Sequence, residues 1–236
     1  AEKIRLSKTL DLAASCSSDN SVIAIDAIYD ELLEQLIAQG GHLASPGDYE
    51  KIANVLWEDG HLNAKAVVLK PQVLCEMAGV EIPEDRLFII MPENGTGPAH
   101  PYSGEKLSVI MAFYRVKDIH EAIALTNQIQ RYQGMGHSCG IYSNNDANIL
   151  ALAEQTKTSR VMVNQPQAPS NSGNLWNGMR QTFSLGCGTW GNNSTNENIY
   201  WRHLVNITWV SKPLLKAKTL PSDAELFGDV IEKLKS

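Results

Sequence analysis

Residues 21–41 have the sequence SVIAIDAIYDELLEQLIAQGG. The first five residues are mostly apolar and β-branched, which predicts a short buried strand. Asp26 is a suitable N-cap for a helix whose apolar side chains, within residues 28–36, fall on one face. The glycine pair at the end of the segment stops that helix. The segment therefore predicts a strand followed by an amphipathic helix.

The same order of strand and helix recurs along the chain as far as residue 163. Strands that alternate with helices are typical of right-handed βαβ units, so the predicted fold class is α/β with a mostly parallel sheet. The predicted strands are 21–25, 87–91, 107–114, 140–142, 159–163 and 204–210, and the predicted helices are 26–37, 46–57, 71–79, 118–129, 145–155 and 222–235.

Composition and charge exclude several classes of partner. The chain has 236 residues, 43% of them apolar, and a formal net charge of -6. Charges of both signs are scattered, without the basic stripe that binds nucleic acid. No apolar run reaches the roughly 18–20 residues of a membrane span. We therefore expect neither nucleic acid nor a membrane as a partner.

The cysteines point to a reducing compartment. They stand at 16, 75, 139 and 187, with no C-x-x-C pair and no spacing typical of zinc sites. We expect no metal site, reduced thiols and a cytoplasmic location. The chain opens inside a helical pattern without an initiator Met, so we expect a fragment of a longer protein.

Three residues are candidates for catalysis. Cys16 lies in a segment of small polar residues, SCSSDN, where an approachable thiol and a following helical turn favour a reactive thiolate. Glu105 precedes a predicted strand, and His137 precedes another in a flexible glycine segment, where a histidine can shuttle protons. The alternatives are an inert buried cysteine, a solvated carboxylate and a surface histidine, and the local sequence leaves them open.

The longest irregular segment, 164–198, is rich in Asn, Ser, Gly and Pro, and its length favours a functional loop. Within it, residues 186–191, GCGTWG, match the dinucleotide-binding pattern G-x-G-x-x-G. The pattern also needs a helix and an acidic residue about 20 positions on, and both are missing here. The glycines instead favour a loop whose backbone closely approaches a ligand.

Several segments resemble, in order, the CoA-acylating aldehyde dehydrogenases of the aldehyde dehydrogenase superfamily. The matching residues span about 4–212. They are 7–11 SKTLD, 15–22 SCSSDNSV, 105–108 EKLS, 136–138 GHS, 157–164 KTSRVMVN, 185–191 LGCGTWG, 197–198 EN and 203–204 HL. Residues 165–177 look closer to the sulfoacetaldehyde type than to the ethanol type. Val109 and Asn192 depart from the usual Pro and Gly.

The resemblance implies a domain organisation. Residues 1–212 would form the catalytic domain, a three-layer α/β/α sandwich, and 213–236 a C-terminal extension. The family's dinucleotide-binding domain, which precedes the cysteine segment, would be absent, so the fragment alone is expected to be inactive. In the full-length protein a homo-oligomer is expected.

The resemblance also implies a reaction, in which an aldehyde and CoA give an acyl-CoA with hydride transfer to NAD or NADP. Cys16 would be the nucleophile, with His137 handling protons and Glu105 acting in catalysis and cofactor binding. The remaining implied roles are cofactor binding for Gly186 and Gly188, and substrate binding for Asn164, Thr189, Trp190 and Asn193.

The expected substrate is a small anionic aldehyde, with sulfoacetaldehyde first and succinate semialdehyde next. Arg180 and Arg202 lie near the polar loop and offer planar donors for a sulfonate or carboxylate. Two rival interpretations stay open, a cysteine acyltransferase or hydrolase without nicotinamide and a non-catalytic assembly module. If the interpretation as an acylating aldehyde dehydrogenase holds, we expect Glu105 and His137 to lie near Cys16, because functional loops collect at the carboxyl ends of parallel strands.

Overall fold

The computed structural model describes residues 1–216 and 219–235, in two units, Ala1–His203 and Leu204–Ser236. The predicted boundary at residue 212 lies inside the second unit. In the first unit the strands are β1 (Ser21–Ile25), β2 (Gly41–Leu43), β3 (Trp57–Glu58), β4 (His61–Leu62), β5 (Phe88–Pro92), β6 (Ile110–Val116), β7 (Cys139–Ile141) and β8 (Val161–Val163). The helices are α1 (Glu2–Thr9), α2 (Asp26–Ala38), α3 (Tyr49–Leu56), α4 (Pro71–Met77), α5 (Ile119–Tyr132), α6 (Asp146–Gln155) and α7 (Gln167–Asn171).

The central sheet has four parallel strands in the order β1-β6-β5-β2. β6 pairs along its length with β1, from Ser21 opposite Ala112 to Ile25 opposite Val116. β5 and β6 are almost entirely buried, as expected for inner strands covered on both faces. The predicted α/β class with a mostly parallel sheet is confirmed.

Side chains of the inner strands alternate between two hydrophobic clusters, one on each face of the sheet. Along β6, Met111 and Phe113 join the cluster that also contains residues of α1 and α2. Ile110, Ala112 and Tyr114 join the opposite cluster, which contains residues of α3, α4 and α5. Helices therefore cover both faces, which gives the three layers.

A second parallel pair, β7 and β8, is connected by α6 and forms its own βαβ unit. Asn145 caps α6 by accepting hydrogen bonds from two backbone N–H groups, and Asp118 does the same for α5. The β7–β8 ladder is extended towards the amino ends by a bridge between Gly136 and Thr158. This bridge fixes the chain just before His137.

The second unit contains α8 (Asp223–Lys235). The predicted helix 222–235 is found here, but the predicted strand 204–210 is wrong. Its alternation of apolar and polar residues is real, yet these residues are exposed and form no strand within the part of the chain that the structure describes. An alternating pattern does not by itself supply a neighbouring strand to pair the backbone groups. No helix among the described residues has the length and apolarity needed to cross a membrane.

We predict that Ile90→Ala destabilises the protein by about 2–5 kcal/mol, because the substitution leaves a cavity in a fully buried inner strand. Leu150→Ala, on an exposed side chain of α6, is the control and should change the free energy of unfolding by less than about 0.5 kcal/mol. Urea unfolding of both variants measures the difference. Equal losses would contradict the assignment of β5 to the core.

Candidate active site

Cys16 lies in a tight turn, residues 15–18, closed by a hydrogen bond of 3.0 Å from the Ser18 N–H to the Ser15 carbonyl. The residue is exposed. The Ser17 hydroxyl bonds to the Ala168 carbonyl at 3.4 Å, which fastens the turn to α7. The turn therefore presents the thiol from a backbone anchored on both sides.

The backbone just before this turn is unusual. Asp11, Leu12 and Ala13 have φ values of 47°, 52° and 61°, in the left-handed region that residues with a Cβ seldom adopt. Such conformations cost roughly 1–3 kcal/mol each and cluster at functional sites. These conformations were not predicted from the sequence, since none of the three residues is a glycine.

His137 is in direct contact with Cys16. Its Nε2 lies 3.1 Å from the Cys16 Sγ, and its Nδ1 lies 2.9 Å from the Ser138 hydroxyl. The second contact orients the imidazole ring. The two candidates separated by 121 positions in sequence thus form a thiol–imidazole pair, a geometry that allows proton transfer between them.

Glu105 lies close enough to Cys16 for its carboxylate charge to raise the pKa of the thiol. Its backbone N–H donates to the Gln133 side chain at 2.7 Å. The next residue, Lys106, is fully buried and donates from Nζ to the carbonyls of Tyr102 and Gly104, at 2.6 and 2.8 Å. These contacts fix the short segment that carries Glu105.

The expected closeness of the three residues is found, but the reason given for it is wrong. Cys16 precedes β1, Glu105 precedes β6 and His137 precedes β7, so all three lie at the amino ends of strands. At the opposite edge a cleft of about 390 Å³ is lined by residues that include Tyr29, Glu93 and Arg115. The expectation that functional loops collect at the carboxyl ends of parallel strands applies to the edge with this cleft. Cys16, Glu105 and His137 do not line the cleft.

At rest the thiol–imidazole pair is neutral. Although Cys16 is exposed, the surrounding protein buries part of its thiol, and this partial burial raises the pKa of the thiol. The negative charge of the Glu105 carboxylate raises that pKa further. Burial lowers the pKa of His137, and the charge of Arg160 adds to this effect. The sequence predicts a helical turn behind Cys16 that favours the thiolate; this is wrong, because residues 15–18 form a single turn. The neutral His137 imidazole is therefore placed to accept the proton of the thiol.

A buried charged pair, Lys8 and Asp19, lies on either side of this turn in sequence. Both side chains are at least nine-tenths buried. Burial lowers the pKa of Lys8 to about 7 and raises that of Asp19 to about 6, while the attraction between the two opposes both shifts. Burial is therefore the stronger influence on each.

The glycine loop 186–191 packs against the segment that carries His137. A Cβ at Gly136 would collide with the Cys187 carbonyl, and one at Gly186 would collide with the backbone of Thr195. Gly188 has a φ of 63°. These glycines are explained by the packing of the chain on itself, so they carry no evidence for the cofactor contacts expected of Gly186 and Gly188.

The four residues expected to bind substrate differ in their surroundings. The Asn164 side chain exchanges hydrogen bonds of 2.8 and 2.9 Å with the backbone of Ser143. The Asn193 side chain accepts from the Cys187 N–H and donates to the Gly191 carbonyl. Both amides hold loops in place, whereas Thr189 and Trp190 are exposed residues of the glycine loop itself.

Arg160 belongs to the site, although the sequence analysis gave it no role. It is buried, and its guanidinium donates to the Asn198 side chain and to the carbonyls of His137 and Gly186. The sequence shows an arginine just before a short strand, but it does not show that this arginine is buried. The residues to which Arg160 donates hydrogen bonds lie 23–38 positions away in the sequence. Within the described residues no group of three or more His, Cys, Asp or Glu could hold a metal.

Known proteins resemble this chain at the level of sequence and structure. Residues 104–203 match the model of the aldehyde dehydrogenase family. A sulfoacetaldehyde dehydrogenase (acylating) of Cupriavidus necator is 35% identical over 99% of this chain and 48% of its own length. A succinate-semialdehyde dehydrogenase (acetylating) of Clostridium kluyveri is 32% identical over 97% of this chain and 50% of its own.

A solved structure shows the same fold. The crystal structure of an acetylating aldehyde dehydrogenase from Geobacillus thermoglucosidasius matches with a TM-score of 0.84 and 33% identity, over 91% of this chain and 48% of that one. The chain thus spans about half the length of the relatives it matches. The resemblance found in the sequence is confirmed: residues 104–203 match the aldehyde dehydrogenase family model, and nearly the whole chain aligns with proteins named as aldehyde dehydrogenases. Its relatives include enzymes named as acylating.

We predict that Cys16 is the most reactive of the four thiols, because it is exposed and paired with a base. Cys75 is the internal control, since it is buried and burial raises its pKa to about 11. Limited alkylation of the intact protein with iodoacetamide, followed by peptide mapping, gives the order of labelling. Earlier labelling of Cys75 or Cys187 would contradict the site.

We also predict that Glu105→Gln speeds alkylation of Cys16 about two- to fivefold at neutral pH, since removing the negative charge lowers the pKa of the thiol. The gain should vanish at high pH, where the thiol is ionised in both proteins. Glu121→Gln, at the first turn of α5, is the matched control. A slower or unchanged rate for Glu105→Gln would show that its carboxylate does not face the thiol.

Proposed function

We propose that the protein containing this chain converts an aldehyde and CoA to an acyl-CoA, with hydride transfer to NAD or NADP. The observation that carries the proposal is the contact of 3.1 Å between Cys16 Sγ and His137 Nε2, with Glu105 beside it. The relatives named as acylating aldehyde dehydrogenases support the same reaction class.

In the first step His137 accepts the thiol proton as Cys16 Sγ attacks the aldehyde carbon. A carbon–sulfur bond forms and the carbonyl oxygen gains negative charge. The Cys16 backbone N–H donates to that oxygen, which then takes the same proton from His137 to give a thiohemiacetal on Cys16. The neutral resting state fits this role, because the imidazole is unprotonated and free to accept.

Nicotinamide, when bound, would supply the acceptor for the hydride of the former aldehyde carbon. His137 would accept the hydroxyl proton of the thiohemiacetal and release it to solvent, which leaves a thioester on Cys16. The half-buried Glu105 fits this cofactor, because its carboxylate has no hydrogen-bond or ion-pair partner within residues 1–216 and 219–235 and can accept hydrogen bonds from ribose hydroxyls. Cys16 then leaves as a thiolate when the thiol of CoA attacks the thioester, and His137 accepts the proton of that thiol.

We further propose that the aldehyde is small and anionic, with sulfoacetaldehyde first and succinate semialdehyde next. The relative named as a sulfoacetaldehyde dehydrogenase is 35% identical to this chain, and the relative named as a succinate-semialdehyde dehydrogenase is 32% identical. Arg180 is exposed and stacks on the Tyr200 ring, its guanidinium carbon 4.1 Å from the ring centre. The stacking orients a planar donor group that suits a sulfonate or carboxylate.

The reaction class is tested on the intact protein with aldehyde, CoA and NAD or NADP, by the absorbance of reduced nicotinamide. Cys16→Ser and His137→Gln should each lower the rate at least a hundredfold, because they remove the nucleophile and its base. Acyl transfer or hydrolysis without nicotinamide would instead support the rival cysteine enzyme. Full activity of Cys16→Ser would favour the assembly module. The 236-residue chain alone is expected to be inactive.

For the substrate we predict a kcat/KM at least about tenfold higher for sulfoacetaldehyde or succinate semialdehyde than for acetaldehyde and propanal. A site built for an anion leaves polar groups unpaired with an uncharged analogue. Arg180→Gln should reduce this preference, and Arg131→Gln on α5 is the control. Equal or faster turnover of the uncharged aldehydes would overturn the substrate assignment and leave the reaction class standing.

The assignment of 1–212 to a catalytic domain, the oligomeric state and the cytoplasmic location stay predictions.

A further inference from the structure

Arg160 connects the loops around the reactive pair. Its Nε donates to the Asn198 side chain at 2.8 Å. One terminal nitrogen donates to the His137 carbonyl at 3.1 Å, and the other donates to the Gly186 carbonyl at 2.8 Å. The same nitrogen also approaches the carbonyls of residues 196 and 197. One buried side chain thus binds the histidine segment, the glycine loop and the segment 196–198.

The positive charge of Arg160 is not offset by an acidic partner. Within residues 1–216 and 219–235, its hydrogen-bond acceptors are carbonyl oxygens and one amide, and no carboxylate forms an ion pair with it. A buried charge without a counter-charge is costly. The negative charges that the guanidinium does sense are the thiolate forms of Cys187 and Cys16.

We propose that Arg160 is a positioning residue for the reaction: it fixes the His137 and Cys187 loops around Cys16 and directs a buried positive charge towards the thiol–imidazole pair. This inference rests on the proposed function for its meaning in catalysis, although its geometry does not. An arginine suits the task because its planar fork can reach several carbonyls at once, which the single ammonium of lysine cannot do.

The charge acts in the same direction on both members of the pair. It favours the thiolate of Cys16 and the neutral form of His137. The other groups that face Cys16 are Glu105 and Cys187, whose negative charges act in the opposite direction. Loss of the positive charge should therefore make Cys16 and His137 both titrate at higher pH. A side chain that served only to hold loops would not move both titrations upward.

The test measures two titrations in the intact protein, the pH dependence of Cys16 alkylation and the NMR titration of the His137 ring. In Arg160→Gln both midpoints should rise by about 0.5 pH unit, so alkylation below the midpoint slows about threefold. Arg160→Lys keeps the charge and should restore most of the midpoints. Arg115→Gln removes an arginine that is paired with Asp26 and Asp30 at the other edge of the sheet, and should change neither.

A second pair of variants covers the case in which Arg160→Gln does not fold. Asn198→Asp would place a carboxylate next to the Arg160 Nε, while Asn198→Ala would not. Both lose the donor bonds from Asn198 to the carbonyls of Asn171 and Arg180, but the aspartate keeps an acceptor for the Arg160 Nε and adds a negative charge beside it. The aspartate variant should titrate at higher pH than the alanine variant.

Unchanged midpoints in a folded Arg160→Gln, or equal midpoints in the two Asn198 variants, would overturn the proposal. Neither titration requires an aldehyde, CoA or nicotinamide. An intact protein that fails to reduce nicotinamide but shows the shifts therefore refutes the proposed function alone.

Discussion

The parallel pairing of β1 with β6 is the constraint on which the site depends. Because both strands run in the same direction, the segments that precede them meet at one edge, and these segments carry Cys16 and Glu105. The Asn20 side chain, just before β1, accepts a hydrogen bond of 3.2 Å from the Lys106 N–H, just before β6. The β1–β6 pairing and this hydrogen bond together hold the segment that carries Cys16 next to the segment that carries Glu105.

The neutral state of the thiol–imidazole pair has a chemical meaning. A cysteine held as a permanent thiolate reacts with any electrophile that reaches it. Here partial burial and the Glu105 charge keep the proton on the Cys16 sulfur. The Nε2 atom of the neutral His137 lies 3.1 Å from that sulfur, close enough to accept the proton. In the proposed reaction, the thiolate would therefore form only as Cys16 attacks a substrate and His137 accepts its proton. Selectivity then comes from the geometry of the encounter as well as from access.

Much of the fold followed from local patterns. The inner strands β5 and β6 were predicted because burial on both faces requires continuous apolar runs, and Asp118 and Asn145 marked the starts of α5 and α6. β2 was missed, because only three residues follow the glycine that ends α2. An element that short carries too few side chains to show a period.

The site was harder to predict than the fold. Small neighbours and family motifs identified Cys16, but its contact with His137 depends on where the β7–β8 pair lies relative to the central sheet. No local pattern encodes that placement. Arg160 was missed for the same reason, since its partners are carbonyl oxygens of distant residues, which every residue type possesses.

The Lys8 and Asp19 side chains make the stability of the fold depend on protons. The folded pKa of Lys8, about 7, lies below its unfolded value, so the unfolded chain binds more protons above that pH and stability rises from about pH 7 towards 10.5. The folded pKa of Asp19, about 6, lies above its unfolded value, so stability falls as pH rises from 3.8 to about 6. The contribution of the two residues to the stability of the fold is therefore smallest near neutrality, between their two folded pKa values.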